Sequence, residues 1–168
     1  MRKPHVVIIM GSKADQDHCA RITAALDSFG IAHESRIGSA HKTPGYLTAM
    51  LERYEAGGGL RVYITVAGRS NALSGFVDGA VDAPVIACPP PAEAFGGADI
   101  WSSLRMPGGI APALVLEPAN AALLAARMLG LADPELAARV HDFRTANSDA
   151  IIAADTSMQS DSIQGRLA

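Results

Sequence analysis

Ser39, His41 and Lys42 stand within four residues, in the stretch Ile37-Gly38-Ser39-Ala40-His41-Lys42-Thr43-Pro44. A hydroxyl, an imidazole and an ammonium in one loop suit proton transfer beside an anion. Histidine titrates near neutral pH and can both take and return a proton; a solvated loop histidine is the alternative for His41. The lysine offers a fixed positive charge; an ordinary lysine stays protonated at pH 7, so it is not the expected base. Two other stretches carry related groups. In Gly11-Ser12-Lys13-Ala14-Asp15, Ser12 and the amides at a helix start can donate to a phosphate, and Asp15 can accept from sugar hydroxyls or simply cap the helix. In Gly68-Arg69-Ser70-Asn71, Arg69 can grip an anion while Ser70 and Asn71 donate to a carbonyl or carboxylate; a helix N-cap beside a solvated arginine is the alternative.

These stretches need a frame that brings them together. Val6 to Met10 is a continuous, β-branched apolar run, the pattern of a parallel strand buried on both faces. Further strands are expected over 31–37, 60–66, 84–88 and 111–116, the second of mixed polarity and so at a sheet edge. Helical periodicity runs from Asp15 to Phe29, with Gly30 as its stop. Thr43 and Pro44 open a second helix, ending at Gly57-Gly58-Gly59. Helical segments also follow Asn71, to about Val81, and span Glu117 to Leu129. Asp99 is placed to cap a short helix, and the stretch 102–109 is placed to close over a pocket.

Five strands alternating with helices predict a three-layer αβα sandwich, a doubly wound parallel sheet of flavodoxin-like type. Each candidate loop follows a strand, and ligands of such sheets sit beyond the strands' carboxyl ends. One domain over 1–168 is expected, with a core at about 5–130, a last helix from Pro134 to about Ala154 and a frayed tail at 156–168. Leu136, Val140, Phe143, Ile151 and Ile152 on that helix either cover its own core or pack on a neighbouring subunit.

Composition removes several classes. With 49% hydrophobic and only 5% aromatic residues, the core must be aliphatic. A net charge of -3 without long runs of one sign excludes a general nucleic-acid footprint. Cys19 and Cys88 form neither a disulfide framework nor a zinc spacing, and read as reduced packing thiols. Neither a signal peptide nor a membrane span is expected, so the chain reads as a soluble cytoplasmic protein. The first loop is neither GxGxxG nor a P-loop. His5, His18, His33 and His141 are expected as surface or capped residues; Arg105 either closes over the pocket with its segment or makes a structural or intersubunit ion pair, and Asp99 and Glu117 receive no catalytic role.

The sequence resembles the PurE family of purine biosynthesis in seven ordered pieces. They are Met10-Gly11-Ser12-Lys13-Ala14-Asp15, Phe29-Gly30-Ile31, Ser39-Ala40-His41-Lys42-Thr43-Pro44, and the run from Ala67 through Gly68-Arg69-Ser70-Asn71 to Gly75. The others run from Pro84 to Pro90, from Trp101 to Pro107, and from Asn120 to Ala126. The resemblance covers residues 5 to 130. The third loop is shorter than in the family's mutase branch and lacks its histidine, and His41-Lys42 replaces His-Arg. Both departures resemble the carboxylase branch, which joins aminoimidazole ribonucleotide (AIR) to CO2 and yields 4-carboxy-AIR (CAIR).

The resemblance implies His41 as carrier of the C4 proton. It implies Ser39 with Gly68, Arg69, Ser70 and Asn71 around CO2, Ser12 and Lys42 at the ribose phosphate, and Asp15 at the ribose hydroxyls. It further implies a homo-octamer, with no ATP, biotin or metal. Two other readings fit the same fold: the N5-carboxy-AIR mutase, and a non-catalytic phosphate- or FMN-binding module. The scarcity of aromatic residues disfavours the FMN reading.

Overall fold

The computed structural model describes residues 5–91, 94 and 96–164, the side chains of 160–164 aside. Strands β1 (Val6–Met10), β2 (His33–Ile37), β3 (Val62–Val66), β4 (Val85–Ala87) and β5 (Ala113–Leu114) form one sheet in the order β2-β1-β3-β4-β5. Every pairing is parallel. Helices α1 (Gln16–Ser28), α2 (Pro44–Ala56), α3 (Ala72–Asp78), α4 (Pro118–Gly130) and α5 (Pro134–Gln164) connect and flank it.

The flanking follows from side-chain alternation along the strands. Val6, Ile8 and Met10 join Val62, Ile64 and Val66 against α1, α4 and the start of α5. Val7, Ile9, Tyr63 and Val85 face Leu47 and Leu51 of α2 and Leu73 and Val77 of α3. Both faces of β1 are therefore covered, and all five of its residues are buried. Ala121, Ala122, Ala125 and Ala126 are fully buried, so the small side chains of α4 admit α1 and the sheet at close range. The expected αβα sandwich and the edge position of β2 are both present.

Strand ends differ from expectation where proline intervenes. β4 is limited to three residues, between Pro84 and Pro89, neither of which has an N–H to give a ladder. β5 pairs only with β4, through Ile86↔Ala113 and Ala87↔Leu114, and so shrinks to two residues. The helix after Asn71 stops at Asp78, short of Val81. Gly30, at φ 66, closes α1 as expected: Gly30 N–H donates to Asp27 O and Ile31 N–H to Leu26 O, a Schellman arrangement in which Leu26 and Ile31 share the core.

The last helix departs furthest from expectation. It continues to Gln164 instead of stopping at about Ala154, so residues 156–164 are helical and 165–168 lie outside the described residues. No Gly or Pro interrupts the chain between Pro134 and Gly165, and no helix breaker means no reason to stop. Its 31 residues extend about 46 Å. Leu136 and Val140 enter the core, Phe143 meets Phe29 edge-on at 5.2 Å, and Arg139 Nε donates to Phe29 O at 2.9 Å. Beyond that point Ile151 and Ile152 are 73% and 61% exposed. The own-core alternative thus holds for Leu136, Val140 and Phe143, and Ile151 and Ile152 lie outside that core.

Leu136→Ala is expected to lower unfolding stability by about 2–5 kcal/mol through the cavity left under α5. Urea denaturation followed by circular dichroism checks this value, and a loss under 1 kcal/mol contradicts the assigned packing.

Candidate active site

The register of the central strands levels three loop origins. Met10 pairs with Ile37 on one side and with Val66 on the other, so the chain leaves β1, β2 and β3 at one height. The chain turns from β1 to β2 in one direction and to β3 in the other. This reversal opens a crevice at the carboxyl edge, where ligands of such sheets bind. Gly11 N–H donates to Val66 O at 2.8 Å and Gly38 N–H to Met10 O at 3.0 Å, fixing the first residue of two loops to neighbouring strands. The resulting cleft, of about 400 Å³, is lined by Ser12, Asp15, Ser39, His41, Lys42, Gly68, Arg69 and Ser70, with Leu73 and small residues between them.

Polar groups in the first two loops are partly consumed by the loops themselves. Ser12 Oγ accepts from Ala14 N–H at 3.1 Å, and Asp15 Oδ2 accepts from Ser12 N–H at 3.2 Å. This reciprocal capping box sits on a 3-10 turn, Lys13–Asp15, that precedes α1. Asp15 occupies the N-cap position of α1, but its carboxylate makes no cap bond there. In the second loop Ser39 Oγ accepts from Lys42 N–H at 3.2 Å, while Thr43 Oγ1 accepts from Ser39 N–H at 3.0 Å. Thr43 holds the expected N-cap position of α2 with its side chain turned back to the loop. The four-residue ring presents His41 and Lys42 outward, both exposed. Among the described residues no side chain hydrogen-bonds the His41 ring.

The third loop is wedged in place. A Cβ on Gly68 would lie 3.0 Å from Pro90 Cγ and 3.5 Å from Asp15 Oδ1, so a side chain here would press on Pro90. Arg69 and Ser70 are exposed at the cleft. Asn71, expected among the substrate-binding groups, does not line it. It is 3% exposed, its Nδ2 donates to Ser103 Oγ at 2.7 Å, and its Oδ1 accepts from Ser74 N–H at 3.4 Å as the N-cap of α3. The helix-cap alternative therefore holds for Asn71.

The stretch 102–109 is likewise no free lid. Ser102 and Ser103 end a 3-10 helix, Ala98–Ser103, that bonds to Asn71, and Met106 sulfur would lie 3.3 Å from a Cβ on Gly75 of α3. That helix is capped by Gly97 rather than Asp99. Glu117 pairs with Arg21 on the surface.

A second cavity, of about 310 Å³, adjoins the cleft through Ala67, Gly68 and Arg69, with Pro89, Pro90 and Pro91 as its wall. The closeness of these prolines to Gly68 depends on β3–β4 pairing. The lining holds two cations, Lys42 and Arg69, and one carboxylate, Asp15. That balance favours an anionic ligand. Among the described residues no group of three or more His, Cys, Asp or Glu side chains could hold a metal ion, and no helix is long and apolar enough to cross a membrane.

A flavodoxin-like domain with an imidazole, hydroxyls and two cations at its switch-point crevice is an enzyme scaffold for a small anionic substrate. Residues 5–150 match the family model described as AIR carboxylase. A Treponema denticola protein named phosphoribosylaminoimidazole carboxylase is 55% identical over 157 residues, covering 94% of this chain and 99% of the relative. An Archaeoglobus fulgidus protein of the same name is 49% identical, covering 91% and 84%. The mouse bifunctional carboxylase and succinocarboxamide synthetase is 44% identical over 126 residues, with 75% of this chain matching 30% of that enzyme. The crystal structure of Treponema denticola PurE superposes with a TM-score of 0.90 at 55% identity, covering 92% of this chain and 98% of that one. The chain belongs to the AIR carboxylase (PurE) family.

His18, expected as a surface or capped residue, is buried, with Nε2 3.4 Å from Cys88 Sγ. Burial, seconded by the nearby Arg21 charge, pushes its pKa below the ordinary 6.5. Burial also pushes the thiols of Cys19 and Cys88 up to about 12, as suits packing groups. Between the depressed folded value of His18 and 6.5, the unfolded chain binds more protons than the folded one. Stability is then complete above pH 6.5 and falls as the pH drops through the folded value. His18→Gln is expected to flatten this acid-side slope in denaturation series between pH 5 and 8. An unchanged slope contradicts the assignment.

Proposed function

We propose that this protein carboxylates AIR at C4 with CO2, reversibly, to give CAIR. Support comes from family membership and from the cleft composition. The observation that separates this reading from the mutase is that His41 is the one histidine lining the cleft among the described residues, while the third loop brings Arg69 and Ser70.

The chemistry then needs one proton carrier. AIR behaves as an enamine, so C4 attacks the carbon of CO2. The new C–C bond forms as one C=O electron pair moves to oxygen, leaving a carboxylate. C4 is now tetrahedral and still bears its proton. His41 takes that proton, the C–H pair returns to the ring, and aromaticity is restored. In reverse, the protonated imidazole delivers the proton to C4. Arg69 and Ser70 hold CO2 or the nascent carboxylate, with Ser39, whose oxygen is already engaged by Lys42 N–H, donating its own proton. Lys42, Ser12 and adjacent amides take the ribose phosphate. Asp15 spends Oδ2 on Ser12 and offers Oδ1, which faces Gly68, to the ribose hydroxyls.

The route calls for no ATP, biotin or metal. A cytoplasmic location is proposed for the reaction. A homo-octamer is proposed, with the exposed Ile151 and Ile152 of α5 seated on a neighbouring copy.

Two measurements test these assignments. With AIR and bicarbonate, carbonic anhydrase should speed CAIR formation, and N5-carboxy-AIR should be consumed no faster than it decays to AIR. Direct conversion of the N5 compound, independent of CO2, overturns the carboxylase reading in favour of the mutase. His41→Asn is expected to cut kcat at least 100-fold while AIR still binds. Near-normal turnover removes His41 from proton transfer.

A further inference from the structure

Six described residues with polar or charged side chains are buried, and three of them, Asn71, Ser74 and Ser103, meet at one point. Asn71 Nδ2 donates to Ser103 Oγ at 2.7 Å, and Ser74 N–H and Oγ each donate to Asn71, to its Oδ1 and its backbone carbonyl respectively, at 3.4 Å. The Asn71 N–H donates to Ser102 Oγ at 2.9 Å, and Ser102 in turn donates to Asp99 O at 2.8 Å. The node therefore ties the end of the third loop to a 3-10 helix 31 and 32 residues further along the chain. It lies one residue beyond Ser70 and two beyond Arg69. Those two residues are exposed at the cleft, between this node and Gly68, where a side chain would press on Pro90.

We propose that Ser102 and Ser103 are positioning residues for the reaction: acting through Asn71, they set where Arg69 and Ser70 stand in the cleft, and neither they nor Asn71 touch substrate. The physical reason is the cost of alternatives. Inside a low-dielectric node an amide or hydroxyl that loses its partner stays unpaired, so the loop cannot slide without breaking bonds that water does not replace. Among the described residues Arg69 and Ser70 have no side-chain hydrogen bond of their own. A displacement of about 1 Å at a group that holds a reacting carboxylate costs up to about 100-fold in rate. This inference rests on the carboxylation reading for its kinetic arm.

Ser103→Ala and Asn71→Ala should each lower kcat for CAIR formation by about 10-fold or more, with the KM for AIR changed less than 2-fold. The double variant should be no worse than the weaker single one, because both remove the same link. Ser102→Ala, at an exposed hydroxyl, keeps the fold if the buried variants do not express, and should lower kcat about 3-fold. Independently of substrate, hydrogen exchange at the Asn71 amide should accelerate at least 10-fold in Ser102→Ala. A raised KM at unchanged kcat in Asn71→Ala would make Asn71 a ligand contact and overturn the proposal. Wild-type kcat in Ser103→Ala, or additive losses in the double variant, also overturn it. Should the wild-type protein not carboxylate AIR, the function reading fails by itself, and the exchange measurement still decides the latch.

Discussion

The level pairing of Met10 with Ile37 and Val66 is the constraint on which the site depends. Parallel hydrogen bonding fixes register residue by residue, and a slip of one residue would turn every buried side chain of β1 to the other face. Because both faces of β1 are packed, that slip is forbidden. The aliphatic core thus decides the height at which three polar loops leave the sheet. The change of direction between β1 and β3 then leaves a space that the loops line and do not fill.

Within that space, hydroxyls and amides are divided between construction and chemistry. Thr43 and Asn71 are spent on the protein's own backbone and neighbours. Ser12, Ser39 and Asp15 are partly spent on bonds inside their own loops and still line the cleft. His41, Lys42, Arg69 and Ser70 stand exposed. Part of this division has a simple origin: short polar side chains such as Thr43 and Asn71 reach nearby backbone, whereas the long Lys42 and Arg69 reach past it. A site made of ringed loops is preorganised before substrate arrives, which is what electrostatic catalysis requires.

The long α5 shows the same economy at a larger scale. Its first three turns are anchored by Leu136, Val140 and the Phe29–Phe143 contact, and its second half carries exposed isoleucines away from the sheet. One helix serves two surfaces, its own core and, in the proposed assembly, a second copy.

By itself the sequence determined the layer order, the edge position of β2, the Gly30 stop, and the membership of the cleft by Ser12, Asp15, Ser39, His41, Lys42, Gly68, Arg69 and Ser70. These follow from patterns of period two and 3.6, from turn residues, and from the family motifs that those loops carry. Asn71 was misplaced because an asparagine before a helix is equally suited to a ligand and to an N-cap. Only Ser103, distant in the chain, decides between them. His18 was misplaced because one polar residue on a helix gives no sign of its burial, which Cys88 arriving from β4 creates. The lengths of β4 and β5, the proline wall beside Gly68 and the reach of α5 were likewise left open. Each depends on contacts between segments far apart in sequence, and local propensity carries no information about them.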